Sequence, residues 1–196
     1  MADDALGLPS LPPGVAYFED FLSNAEEAMA EARLDAGEWS NVLKRRVQHF
    51  GYIYDYKART VTADAYLGKL PDWLHCLAER LVRQGYFTEE PNQVIANEYL
   101  PGQGISAHVD CVPCFTDTIV SISLLSQCEM VFREKFSPAV IAVVLQRRSA
   151  ILLKGRGRYD WSHEIAARKS DLIGSVKIDR TRRISLTFRR VILGAA

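Results

Sequence analysis

The sequence predicts a mainly β fold with flanking α, an antiparallel sandwich or jelly roll braced by two N-terminal helices. Three observations carry this. From Val94 onward the chain breaks into seven short runs rich in Val, Ile, Phe and Tyr: VIANEY, TIVSISLL, MVFR, VIAVVL, AILLK, WSHEI and RISLTFRRV. Pro, Gly and Ser separate these runs and no helical period falls between them, which excludes alternating βαβ units. Helix signals occur only upstream. The 196 residues, 48% hydrophobic and 24% charged, suit one well-cored globular domain and exclude disorder, collagen and coiled coil.

Taken in order, residues 1–14 (MADDALGLPSLPPG) read as an extended lead-in, because three prolines and two glycines deny them regular structure. A single domain is expected over residues 15–196. Ser23 followed by Glu26 forms a capping box, and the Ala/Glu-rich run after it continues to Gly37, a helix terminator. A second helix is expected from about Asp72 to Gln84, with Leu74, Leu77, Leu81 and Val82 along one side and Gly85 as the stop. The β-rich half follows without a repeat or a low-complexity segment.

Lys+Arg and Asp+Glu balance at 24 each, yet residues 147–190 hold 13 basic against 4 acidic side chains. A quarter this basic suits either phosphates or a solvated surface, while overall neutrality argues against strong nonspecific DNA binding. No apolar run is long enough to span a bilayer and the first ten residues are acidic where a secretory signal is basic. Four cysteines are too few for a disulfide scaffold. We therefore expect a cytoplasmic protein without membrane contact; a monomer is expected, though nothing in the sequence sets the oligomeric state.

His108 and Asp110 are two positions apart, so an extended strand puts both side chains on one face as a metal pincer. His163, in WSHEI, is far enough along to return beside them across a jelly roll. Two histidines and one carboxylate form the facial triad that holds Fe(II) and leaves open positions; zinc in a hydrolase is the rival. In RISLTFR, alternation sends Ile184, Leu186 and Phe188 to the core and Arg183, Ser185 and Arg189 to the opposite face. Two arginines on one face call for an anion. Their Cα atoms stand about 20 Å apart on a straight strand, and extended side chains leave a gap of about 6 to 8 Å, the length of a short dicarboxylate. Asn97 and Tyr99 share a strand face and can donate to its oxygens, or serve only sheet-edge bonding.

These motifs, Asn97-x-Tyr99, PGQG, His108-x-Asp110, IVSISL, RGRYDWSH and RISLTFR in that order, resemble the AlkB family of Fe(II)- and 2-oxoglutarate-dependent dioxygenases over about Val94–Val191, with weaker similarity from Lys44. The resemblance implies a double-stranded β-helix core, iron on His108, Asp110 and His163, and 2-oxoglutarate on Arg183 and Arg189 with help from Asn97, Tyr99, Ser121 and Ser185. It implies O2 as the second cosubstrate. The best-known bacterial repair enzymes of the family carry Asn where this chain has Ser185. RRVQHFGYIYDY, EYLPGQGISAHVD and IVSISL resemble instead the homologue that joins an AlkB-like domain to a tRNA methyltransferase, whose partner domains are not in this sequence.

Phe50, Tyr52, Tyr54 and Tyr56 alternate with His49, Gly51, Ile53 and Asp55, so one strand face is expected to be wholly aromatic. Beside Lys44, Arg45 and Arg46 it suits a nucleobase and its phosphates. The resemblance makes residues 44–66 a nucleotide-recognition lid, with Arg45, Arg46, Phe50, Tyr52 and Tyr54 on the substrate. Cys111 and Cys114 read as loop cysteines, with a redox pair or half a zinc site as alternatives. The expected reaction is oxidative demethylation of N-alkylated bases in DNA or RNA, releasing formaldehyde, succinate and CO2. Hydroxylation of a wobble uridine in tRNA is the alternative, followed by a protein or small-molecule dioxygenase and a non-catalytic jelly-roll binding module.

Overall fold

The structure, a computed structural model, describes residues 11–193. Most of the lead-in expected over residues 1–14 lies outside the described residues. The first helix, α1 (Asn24–Asp35), is capped by Ser23, whose hydroxyl accepts from the Glu26 N–H while the Glu26 carboxylate accepts from the Ser23 N–H. Its buried Glu27 carboxylate accepts from the Leu125 N–H at 2.8 Å and from Arg147 at 2.5 Å, which ties the helix to the β half. The second helix, α2 (Asp72–Arg83), buries Leu74, Leu77, Ala78 and Leu81 and ends where Gly85 takes φ +78°.

Among the described residues there are twelve strands, and the seven runs from Val94 onward account for seven of them. The largest sheet has six, in the order β1 (Val15–Phe18), β8 (Ala150–Leu153), β5 (Phe115–Leu124), β12 (Arg183–Val191), β3 (Gln93–Tyr99) and β2 (Arg46–Phe50). A second sheet has β4 (Ile105–His108), β9 (Trp161–Ile165), β6 (Cys128–Glu134) and β7 (Val140–Leu145). β10 (Ser170–Ile173) and β11 (Val176–Asp179) form a separate hairpin. All pairings are antiparallel, as a jelly roll requires. A short helical turn, α3 (Arg156–Tyr159), leads into β9.

The large sheet has a core on each side. Val94, Ala96, Ile122, Ile184, Leu186 and Phe188 face α1 and α2. On the other side Ile119, Ile151, Leu153 and Val191 meet Met130, Phe132, Leu145, Trp161 and Ile165 of the smaller sheet. The alternation read from RISLTFR holds: Arg183, Ser185, Thr187 and Arg189 point into the space between sheets. Among the described residues, no helix is long and apolar enough to cross a membrane.

Candidate active site

Between the sheets lies a cavity of about 560 Å³. β4 and β9 pair so that His108 and His163 are direct cross-strand partners, with ring centroids 4.4 Å apart. β4 ends at His108, so Asp110 joins them from the loop beyond rather than from the extended strand expected. Its carboxylate comes within 3.8 Å of His163 Nε2, and one potential ligand atom from each of the three lies within 4.8 Å of the others.

Buried Arg158 of α3 fixes that loop by donating to the Asp110 carbonyl at 2.8 Å and the Cys111 carbonyl at 3.1 Å. The carbonyl of Ser106 lies 2.8 Å from His108 Nδ1, which holds a proton there and leaves the Nε2 lone pair for a metal. Burial and the neighbouring His108 hold His163 down at about 3, so its imidazole is neutral. Burial alone would raise the Asp110 pKa, but Arg189, His163, His108 and Arg158 outweigh it and drive the carboxyl well below the usual range. Two imidazoles and one carboxylate are a donor set for a divalent first-row metal.

The same cavity is lined by Arg183 and Arg189, both on β12 and both buried. One nitrogen of each is anchored: Arg183 Nη2 donates to Ser123 Oγ at 2.8 Å and Arg189 Nη2 to Asp110 Oδ1 at 2.5 Å. Nε and Nη1 of both are buried without a partner. Buried cationic donors left unpaired are costly, so four such atoms facing one cavity mark the seat of an anion. Asn97 and Tyr99 stand beside them on β3, Ser121 on β5 and Ser185 between them on β12. Arg45 donates to Asn97 Oδ1 at 2.9 Å, which turns the Asn97 amide NH2 away from that bond and frees it to donate. The donor set fits an iron ion and the unpaired guanidinium atoms fit a dicarboxylate.

Residues 44–66 depart from expectation. The aromatic run is not one strand: β2 ends at Phe50, and Gly51 follows at φ +79°, where a Cβ would lie 1.9 Å from the Asn92 carbonyl. Phe50 therefore turns to the helix-backed core against Trp73, and Tyr52 packs on Tyr66 at 4.9 Å. Neither lines the cavity, and neither does Arg46, which is held outside by Glu98 at 2.5 and 2.7 Å. Tyr54 and Arg45 do line it. So does Tyr56, which the sequence put on the aromatic face, and so do Arg59 and Lys135, which it did not assign; Lys135 in particular gave no signal, being one charge in a hairpin remote from every motif. Cys111 and Cys114 are joined in a buried disulfide rather than lying as free loop thiols, and the Arg59 carbonyl rests 3.2 Å from Cys111 Sγ.

Comparison with known proteins agrees with this chemistry. Residues 40–189 match the model of the 2OG-Fe(II) oxygenase superfamily. The chain is 35% identical over 213 residues to the tRNA (carboxymethyluridine(34)-5-O)-methyltransferase ALKBH8 of Mus musculus, covering 95% of this chain and 32% of that protein. It is 36% identical to the alkylated DNA repair protein ALKBH8 homolog of Arabidopsis thaliana, covering 91% of this chain and 58% of that one. The chain thus spans just under a third of the length of the first of these relatives and just under three fifths of the second. Among solved structures, OsALKBH1 superposes with a TM-score of 0.72 at 17% identity over 92% of this chain and 98% of that one, a likeness of fold.

Proposed function

Because the chain belongs to the 2OG-Fe(II) oxygenase superfamily and so works with Fe(II), 2-oxoglutarate and O2, we propose that it oxidises an alkyl group on a nucleic-acid base, most directly an N-methyl group. The observation that carries the reading is the single cavity in which the His108, Asp110 and His163 ligand atoms converge beside the unpaired donors of Arg183 and Arg189. When bound, iron with 2-oxoglutarate and O2 supplies an oxidant able to take a hydrogen from an unactivated C–H bond, with succinate and CO2 as coproducts.

His108, Asp110 and His163 would hold the metal. Arg189, bonded to Asp110, would take the carboxylate nearer the metal, and Arg183, farther along the strand, the distal one, with the Asn97 amide and the Tyr99 and Ser121 hydroxyls as further donors. The Tyr54 ring faces the cavity, while Arg45, Arg59 and Lys135 supply positive charge on its walls, which suits an unstacked base with its phosphates outside. A hydroxylated N-methyl group falls apart to formaldehyde and the bare N–H. The name of the Arabidopsis relative supports this demethylation. That of the mouse relative supports a second reading, hydroxylation of a side chain on a tRNA wobble uridine, whose product keeps its carbon.

The test is to incubate the protein with Fe(II), 2-oxoglutarate and methylated DNA, methylated RNA or bulk tRNA, and to read nucleosides by mass spectrometry. Demethylation is expected to yield formaldehyde and the unmodified base. A gain of 16 daltons on a tRNA uridine, with no formaldehyde from methylated oligonucleotides, selects the second reading. No substrate-dependent succinate with any of the three overturns both.

A further inference from the structure

Tyr56 sits in a tight turn at the tip of the segment over the cavity. Asp55 and Thr60 bridge across this turn, and the Asp55 carboxylate accepts the backbone N–H groups of Lys57 and Ala58, each at 2.8 Å. The turn is therefore built by its own residues, and it fixes where Tyr56 goes. Its ring is held edge-on against Tyr54, centroids 5.1 Å apart, and tilted against His49 at 5.6 Å. Packing on two sides leaves the ring little freedom. Yet the hydroxyl of this cavity-lining residue is buried and bonded to nothing among the described residues.

The surroundings of that hydroxyl say what it lacks. The cations bearing on it are Arg189 and Arg45. Arg189 keeps two unpaired donor atoms, and Arg45 is occupied by Asn97 Oδ1. Neither cation can accept a hydrogen bond, and two positive charges beside a phenol favour an anionic acceptor over a neutral base edge. Burial keeps the phenol protonated, so its O–H is available to donate to an anion that these cations hold.

We propose that Tyr56 is a positioning residue for the cosubstrate: its hydroxyl donates to the 2-oxoglutarate carboxylate held by Arg189, so that the cosubstrate pins the lid in place before nucleic acid enters. The inference rests on the dioxygenase reading above. It assigns to the lid a role toward the cosubstrate in addition to any contact with a base. The covalent disulfide beneath the Arg59 carbonyl would steady the same turn from the other side.

Tyr56→Phe removes one oxygen and keeps the packed ring, so folding is expected to survive, with an unchanged circular dichroism spectrum as the check. Calorimetric titration of the anaerobic Fe(II) protein with 2-oxoglutarate should show about tenfold weaker binding in the variant, the loss of one hydrogen bond to a charged group. Hydrogen exchange of residues 51–60 should slow on adding 2-oxoglutarate to the parent protein and should not slow in the variant. Equal affinity in the two proteins, or weakened oligonucleotide binding with 2-oxoglutarate affinity intact, overturns the inference. A parent protein that binds no 2-oxoglutarate overturns the dioxygenase reading instead.

Discussion

Arg189 touches both halves of the site. Through Nη2 it holds Asp110, and through its unpaired Nε and Nη1 it faces the cavity, its guanidinium lying over the Phe115 ring at 5.0 Å. A lysine keeps the charge but has neither the planar fork nor the reach to serve both partners. Arg183→Lys is expected to weaken 2-oxoglutarate at least tenfold and leave iron affinity unchanged. Arg189→Lys is expected to weaken both, as titrations of each ligand into the variants would show. The pairing of these arginines was legible because the strand period of two survives any twist of the sheet. The turn that carries Tyr56 was not, because it depends on the break at Gly51, and a strand pattern cannot show where the pattern stops. His49 gives a pH prediction. Burial first, and Arg189 second, lower its pKa from 6.5 to about 4, and its Nε2 has no partner. Between pH 6.5 and 4 only the unfolded chain takes up that proton, so stability must fall as the pH falls through this window. Urea unfolding of His49→Phe, with chelator present, should show a flatter dependence there. The share due to His163, of the same sign and continuing to about 3, persists in both proteins.

At the level of elements, the helices announced themselves through their ends, by the Ser23 to Glu26 box and by Gly85. The longer strands did so through hydrophobic runs. The strands outside the seven hydrophobic runs, β1, β2, β4, β10 and β11, have four or five residues each, too few for their bounds to stand out, and pairing with neighbours rather than their own composition makes them strands. β4 matters most, because it carries His108 to His163. It starts after Gly104, where an added Cβ would lie 2.2 Å from the Ile165 carbonyl of β9. Gly104→Ala must push β4 away from β9 at its first register point, and overpacking of this kind typically costs about 1 to 3 kcal/mol. We expect a lowered thermal midpoint together with weaker Fe(II) binding, measured on one preparation. Unchanged iron affinity would mean that the β4–β9 spacing is not what sets the distance between the two imidazoles.

For the molecule as a whole, the sheet containing β12 separates the helix-backed core from the cavity, and β12 belongs to both sides. Ile184, Leu186 and Phe188 are fully buried against the helices while Arg183, Ser185, Thr187 and Arg189 line the cavity. The site cannot open by unfolding β12 without dismantling the main core, so ligands bind the native chain and ignore the unfolded one. A ligand at a hundred times its Kd then stabilises the fold by about 2.7 kcal/mol. Fe(II) and 2-oxoglutarate together should raise the thermal midpoint in a concentration-dependent way, and Arg183→Lys should need more cosubstrate for the same rise. The consequence reaches beyond catalysis. Proteolysis in a cell draws on the unfolded fraction, so the standing amount of this protein should follow its cosubstrate supply. When 2-oxoglutarate runs short, each remaining molecule should turn over less often, and the pool of molecules should shrink as well.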